Sequence, residues 1–86
     1  MIRIHLSTIL GKKRWTQAKL AKVTGIRPST ISEMYNEIIV RVTLDHLDLI
    51  CEALDCTLDE LITYEPNEIP KIERNHDGKP MRPVKD

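Results

Sequence analysis

Residues 17–36 read QAKLAKVTGIRPSTISEMYN, and this stretch decides the fold. Its first half carries Ala18, Leu20, Ala21 and Val23 as the inner face of a short helical pattern. Thr16 precedes it as an N-cap, which predicts a helix over 17–23. Ala21 is small, as two closely crossing helices require. Gly25 follows, where a glycine takes the left-handed conformation that stops a helix and turns the chain. Ile26 gives the turn an apolar anchor. Pro28 suits the first turn of a new helix, where its missing N–H would be unbonded anyway. Ile31, Met34 and Tyr35 then share one face, which predicts a second helix over 28–36.

A small residue, a glycine and two apolar positions in this order are the signature of a helix-turn-helix. On these residues the chain resembles the lambda-repressor-like DNA-binding family, of Cro and xenobiotic-response-element type. The resemblance runs from Ile2 to Glu65. It implies an all-α domain of five short helices around one aliphatic core.

The flanking sequence supplies the other three helices. Upstream, Leu6, Ile9 and Leu10 predict a helix over 4–13, with Lys12, Lys13 and Arg14 at its negative end. Ile2, Ile4 and Leu6 alternate, which suits a short extended start. Trp15 sits in the connection as a cap on the core. Downstream, the β-branched run Ile38, Ile39, Val40 and Val42 predicts an extended, partly buried connection. Thr43 caps a helix over 44–54, with Leu44, Leu47, Cys51 and Leu54 inward and Ile50 beside them. Thr57 and Glu60 form a capping box for a fifth helix over 58–63, which buries Leu58, Leu61 and Ile62.

Composition narrows the class. Eighty-six residues with 41% hydrophobic content support one small domain. Phe is absent, so Leu, Ile, Val, Ala and Met must build the core. The opening MIRIHLSTILGKKR lacks the apolar segment of a signal peptide. No uncharged apolar run approaches the ~20 residues of a membrane span. A cytoplasmic protein follows, and the resemblance implies a bacterial or phage-encoded one at the nucleoid. Cys51 and Cys56 form no C-x-x-C pair, and with His46 they recur at five-residue steps that rotate apart on a helix. They read as two small buried core thiols, with no metal and no cofactor. Paired carboxylates such as Asp45 and Asp48 suit a helix start, and no glycine-rich phosphate loop occurs. An enzyme is not expected.

Net charge is zero, yet its distribution favours a polyanion. Residues 1–41 hold eight basic and two acidic side chains, a net of +6. Residues 42–65 hold seven acidic and no basic side chains, a net of −7. The helix-turn-helix lies in the basic half.

The resemblance implies how double-stranded DNA would be read. The helix over 28–36 would enter the major groove with its N-terminal residues at the base edges. Arg27, Ser29, Thr30, Ser32 and Glu33 are then the base-contact candidates. For Glu33 the structural alternative is an ion pair with Arg27 or Lys22. Thr16, Gln17, Lys19, Asn36 and Arg41 are the phosphate-contact candidates. Relatives use a glutamine like Gln17 to meet a phosphate and brace the reading helix.

Three departures stand out. Pro28 replaces a glutamine that many relatives use on bases. Tyr35-Asn36-Glu37 replaces their Glu-Asn-Gly, and Glu37 brings negative charge near the DNA backbone path. Leu10 stands where some relatives carry an arginine that pairs with that first glutamate, which predicts an apolar Leu10–Tyr35 contact.

The resemblance also implies a homodimer, with the fifth helix and the tail as its candidate surface. Residues 66–86 hold four of the five prolines and few large apolar side chains. They predict a mobile C-terminal tail after a DNA-binding domain at 1–65. Alternatively Ile69, Ile72, Met81 and Val84 would order on a partner as a binding arm. The rival functional reading is a protein-interaction module, antitoxin-like or an adaptor, binding a protein through its acidic face or tail.

Overall fold

The computed structural model describes residues 1–74 and 77–83; Val84 and the side chain of Met81, named above, lie outside it. The element order is β1 (Ile2–Ile4), α1 (Leu6–Lys13), α2 (Gln17–Thr24), α3 (Pro28–Tyr35), α4 (Leu44–Leu54), α5 (Leu58–Leu61), β2 (Ile62–Tyr64), β3 (Ile72–Arg74) and β4 (Pro80–Pro83). Five helices make the fold mostly helical, as expected, but it is not purely all-α. Two antiparallel strand pairs are added, β1–β2 and β3–β4.

The first pair corrects the end of the fifth helix. Ile62, Thr63 and Tyr64 are β-branched or aromatic and favour an extended backbone. They pair with β1 in the register Ile2↔Tyr64, Arg3↔Thr63, Ile4↔Ile62. The helix therefore stops at Leu61 rather than at 63. His5 N–H donates to the Leu61 carbonyl at 2.7 Å, and Glu65 N–H donates to the Met1 carbonyl at 2.8 Å. The start of the chain is thus stitched to the end of α5.

The core lies where α1 to α5 meet. Leu6, Leu20, Ile31, Met34, Ile50 and Leu61 have no exposed surface. Burying one such side chain is worth about 1.5–3 kcal/mol. The inward faces are narrower than the sequence pattern suggests. Ala18, Val23, Leu44 and Leu58 are exposed, and Cys51 and Cys56 are half-buried free thiols rather than core residues. A two-turn helix such as α2 buries a narrow stripe, here Leu20 and Ala21. Leu44 and Leu58 are the first residues of their helices, where no neighbouring element covers them. Thr16 and Thr43 cap α2 and α4 as expected, accepting from Lys19 N–H and His46 N–H. The Glu60 carboxylate accepts from the Thr57 N–H and hydroxyl, which holds its own pKa low.

Helix endings bear on the site. Gly25 ends α2 with φ 76°, its N–H bonded to the Ala21 carbonyl at 2.9 Å. Three non-glycine residues also take the left-handed conformation: Arg14 (φ 58°), Glu37 (φ 56°) and Asp55 (φ 49°). Each sits inside a Schellman motif, closed by Trp15 N–H on Leu10, Ile38 N–H on Glu33 and Cys56 N–H on Cys51. Each costs on the order of 1 kcal/mol of backbone strain.

Beyond Glu65, β3 and β4 form a hairpin in the register Ile72↔Pro83, Glu73↔Arg82, Arg74↔Pro80, with an irregularity after Glu73. Arg82 pairs with Glu73 across it, and Arg74 donates to the Gly78 carbonyl at 3.0 Å. Ile69 is 84% exposed. Among the described residues, no helix is long and apolar enough to cross a membrane.

Candidate nucleic-acid interface

The outer side of α3 is built by the residues that anchor its inner side. Ile31 and Met34 are fully buried, and Ile26 fixes the preceding turn at 4% exposure. Opposite them, Arg27, Ser29 and Glu33 are exposed, and Thr30 and Ser32 are half-buried. Arg27 is the N-cap residue and Pro28 the first helical residue. Among the described residues no side chain caps this end, so the first N–H groups of α3 have no side-chain acceptor.

The phosphate candidates divide into two groups. Gln17 lines a cleft between α2 and α3 with Pro28 and Lys22, on one flank of α3. Arg41 lies on the other flank, in a groove shared with Thr30, Glu33, Thr43 and His46. The two grooves share no lining residue, but each takes residues from α3 or its first turn. Thr16 is exposed at the start of α2. Lys19 and Asn36 are partly engaged within the protein. The Lys19 ammonium stacks 4.3 Å from the Trp15 ring centroid, a cation–π contact. The Asn36 amide donates to the Ser32 carbonyl at 2.9 Å, which closes the end of α3 on itself.

Electrostatics changes the reading of Glu37. Its carboxylate accepts from Arg3 Nε at 2.8 Å and Nη2 at 2.9 Å, and from Ile4 N–H at 2.9 Å. Arg3 also lies 3.6 Å from Glu65. The Arg3 bonds, followed by the Ile4 N–H, hold the Glu37 pKa down at about 2. The charge expected to repel phosphate is therefore paired with Arg3, a cation it shares with Glu65. No ion pair joins Glu33 to Arg27 or Lys22 among the described residues. Leu10 is buried while Tyr35 is 37% exposed. The ion pair at the end of α3 is Arg3–Glu37, which sequence reasoning missed. Its signal was Glu37 itself, an acidic residue in place of a glycine and one of two in the basic half.

Residues 5–67 match the model of the Cro/C1-type helix-turn-helix DNA-binding domain. The chain belongs to the Cro/C1-type family. The match spans all five helices described above. The uncharacterized HTH-type transcriptional regulator YozG of Bacillus subtilis (strain 168) is 27% identical over 67 residues, covering 78% of this chain and 80% of YozG. A crystal structure of a Bacteroides fragilis protein, provisionally assigned to DNA binding, superposes with a TM-score of 0.66 at 27% identity. It covers 73% of this chain and 100% of that one. In Cro/C1-type terms, α2 and α3 are the helix-turn-helix, and Arg3–Glu37 ties its second helix to the N-terminal strand.

Proposed function

We propose that this Cro/C1-type chain is a sequence-specific transcriptional regulator that reads the major groove with α3 and represses by occupying a promoter. One observation carries the reading: Ile31 and Met34 root α3 in the core while Arg27, Ser29 and Glu33 face solvent. Arg27 reaches guanine or a phosphate, Ser29, Thr30 and Ser32 bond base edges, and Glu33 accepts from a cytosine amino group. Thr16 and Gln17 meet phosphates, with Lys19, Arg41 and Asn36 in second rank. Repression rests on the resemblance alone. The two relatives are bacterial, which supports a bacterial cytoplasm. The working unit is 1–65, with 66–86, which carries the β3–β4 hairpin, as an arm that binds a second copy.

One observation favours the adaptor reading. Ile38, Val40 and Leu44 are 68%, 93% and 83% exposed, an apolar stretch beside the same groove. A fluorescence titration on random and genomic duplex at two salt concentrations separates the readings. A DNA regulator loses affinity with a log–log slope of about −0.9 per phosphate contacted. Negligible affinity even at low salt would support the adaptor instead.

A further inference from the structure

The reading helix is short, and its two ends are held differently. Its N-terminal end is fixed by Gly25 and buried Ile26. Its C-terminal end leads into exposed chain, with Ile38 and Val40 uncovered. There the Glu37 side chain crosses to β1 and accepts three hydrogen bonds, two from Arg3 and one from the Ile4 N–H. β1 is itself locked to β2, and Arg3 has a second carboxylate, Glu65, at 3.6 Å.

The backbone makes the same point. Glu37 occupies the position of a Schellman motif that glycine fills most easily, and it does so at φ 56°. Glycine there would remove the strain and the side chain together. A carboxylate at this position gives up backbone comfort for a tether. Both side chains remain about a third exposed, so the tether is accessible to water and salt.

We propose that Glu37 and Arg3 are positioning residues for DNA recognition: the clamp fixes the tilt of α3 against the β1–β2 pair, and with it the base contacts. This rests on the reading of α3 as the DNA-reading helix. Base contacts tolerate errors of only about 0.5 Å, while phosphate attraction tolerates far more. Loss of the clamp should therefore damage discrimination more than general affinity.

The test compares the wild-type chain with Glu37→Gln, Glu37→Gly and the charge swap Arg3→Glu/Glu37→Arg. Duplex selected from genomic fragments and random duplex are titrated at fixed salt, and thermal melting confirms that each variant is folded. Arg14 already holds a left-handed conformation, so arginine at 37 is compatible with the backbone. Both single variants should keep random-duplex affinity within about threefold and lose tenfold or more on the selected duplex. The charge swap should recover part of that loss relative to Glu37→Gln. Lower melting with unchanged discrimination in Glu37→Gln and Glu37→Gly would make the clamp merely structural and overturn the proposal. A wild-type chain without any preference for selected duplex would overturn the DNA reading and this inference together.

Discussion

Arg27 is the residue whose replacement says most. It is exposed, precedes Pro28, and has no partner among the described residues that would hold it back from DNA. Arg27→Ala should cost ~1–3 kcal/mol of selected-duplex affinity if the guanidinium grips a guanine, measured by titration at fixed salt. Unchanged affinity would remove it from the interface. Glu37 gives a pH test. Its carboxyl falls from an ordinary 4.5 to about 2 in the fold, through Arg3 first and the Ile4 N–H second, with His5 adding to the effect. A depressed pKa means that the clamp contributes fully above about 4.5 and is lost as pH falls toward 2. Melting temperature should drop over that window in wild type, and by less in Glu37→Gln. An equal drop in both would mean that Glu37 contributes nothing there. Glu60 is lowered too, by Thr57, so part of the fall remains in either chain. Such side-chain pairings were hard to read in advance. Arg3 and Glu37 are 34 positions apart, and no local pattern links a strand residue to a helix end.

At the scale of elements, punctuation was more legible than burial. Thr16, Gly25, Pro28 and Thr43 marked helix ends because caps and left-handed turns depend on neighbouring backbone groups. Leu44, Leu58 and Ala18 misled because periodicity shows which side could be inward, not how far the covering elements reach. The β1–β2 pair was half-visible in the alternation of Ile2 and Ile4, but its partner strand passed for helix. Gly25 yields a prediction free of packing. A methyl group there would meet nothing within 4 Å, so only the φ of 76° opposes it. Gly25→Ala should destabilise by roughly 1 kcal/mol in chemical denaturation, reflecting the strain of a left-handed alanine. A loss several times larger would mean that the turn carries more than its conformation. Met34→Ala should cost about 2–5 kcal/mol, because Met34 is the fully buried side chain that anchors the end of α3 in the core.

For the molecule as a whole, zero net charge conceals a division that the fold keeps. The basic half supplies the helix-turn-helix, and the acidic half supplies α4, α5 and β2. The order of charged residues along the sequence showed this split. It did not show the β3–β4 hairpin, whose strands are three and four residues long, the second of them with a proline at each end. If that hairpin serves a second copy, ending the chain at Glu65 should weaken self-association in sedimentation while leaving the helical signal intact. Unchanged association would move the contact elsewhere. The central claim is that α3 lies in the major groove, and base-specific methylation tests it most directly. Dimethyl sulfate attacks guanine N7 in the major groove and adenine N3 in the minor groove. On selected duplex the bound chain should protect guanine N7 in two clusters about one turn, ~34 Å, apart, and leave adenine N3 reactive. Protection confined to adenine N3, or none on a duplex shown to be bound, would contradict it.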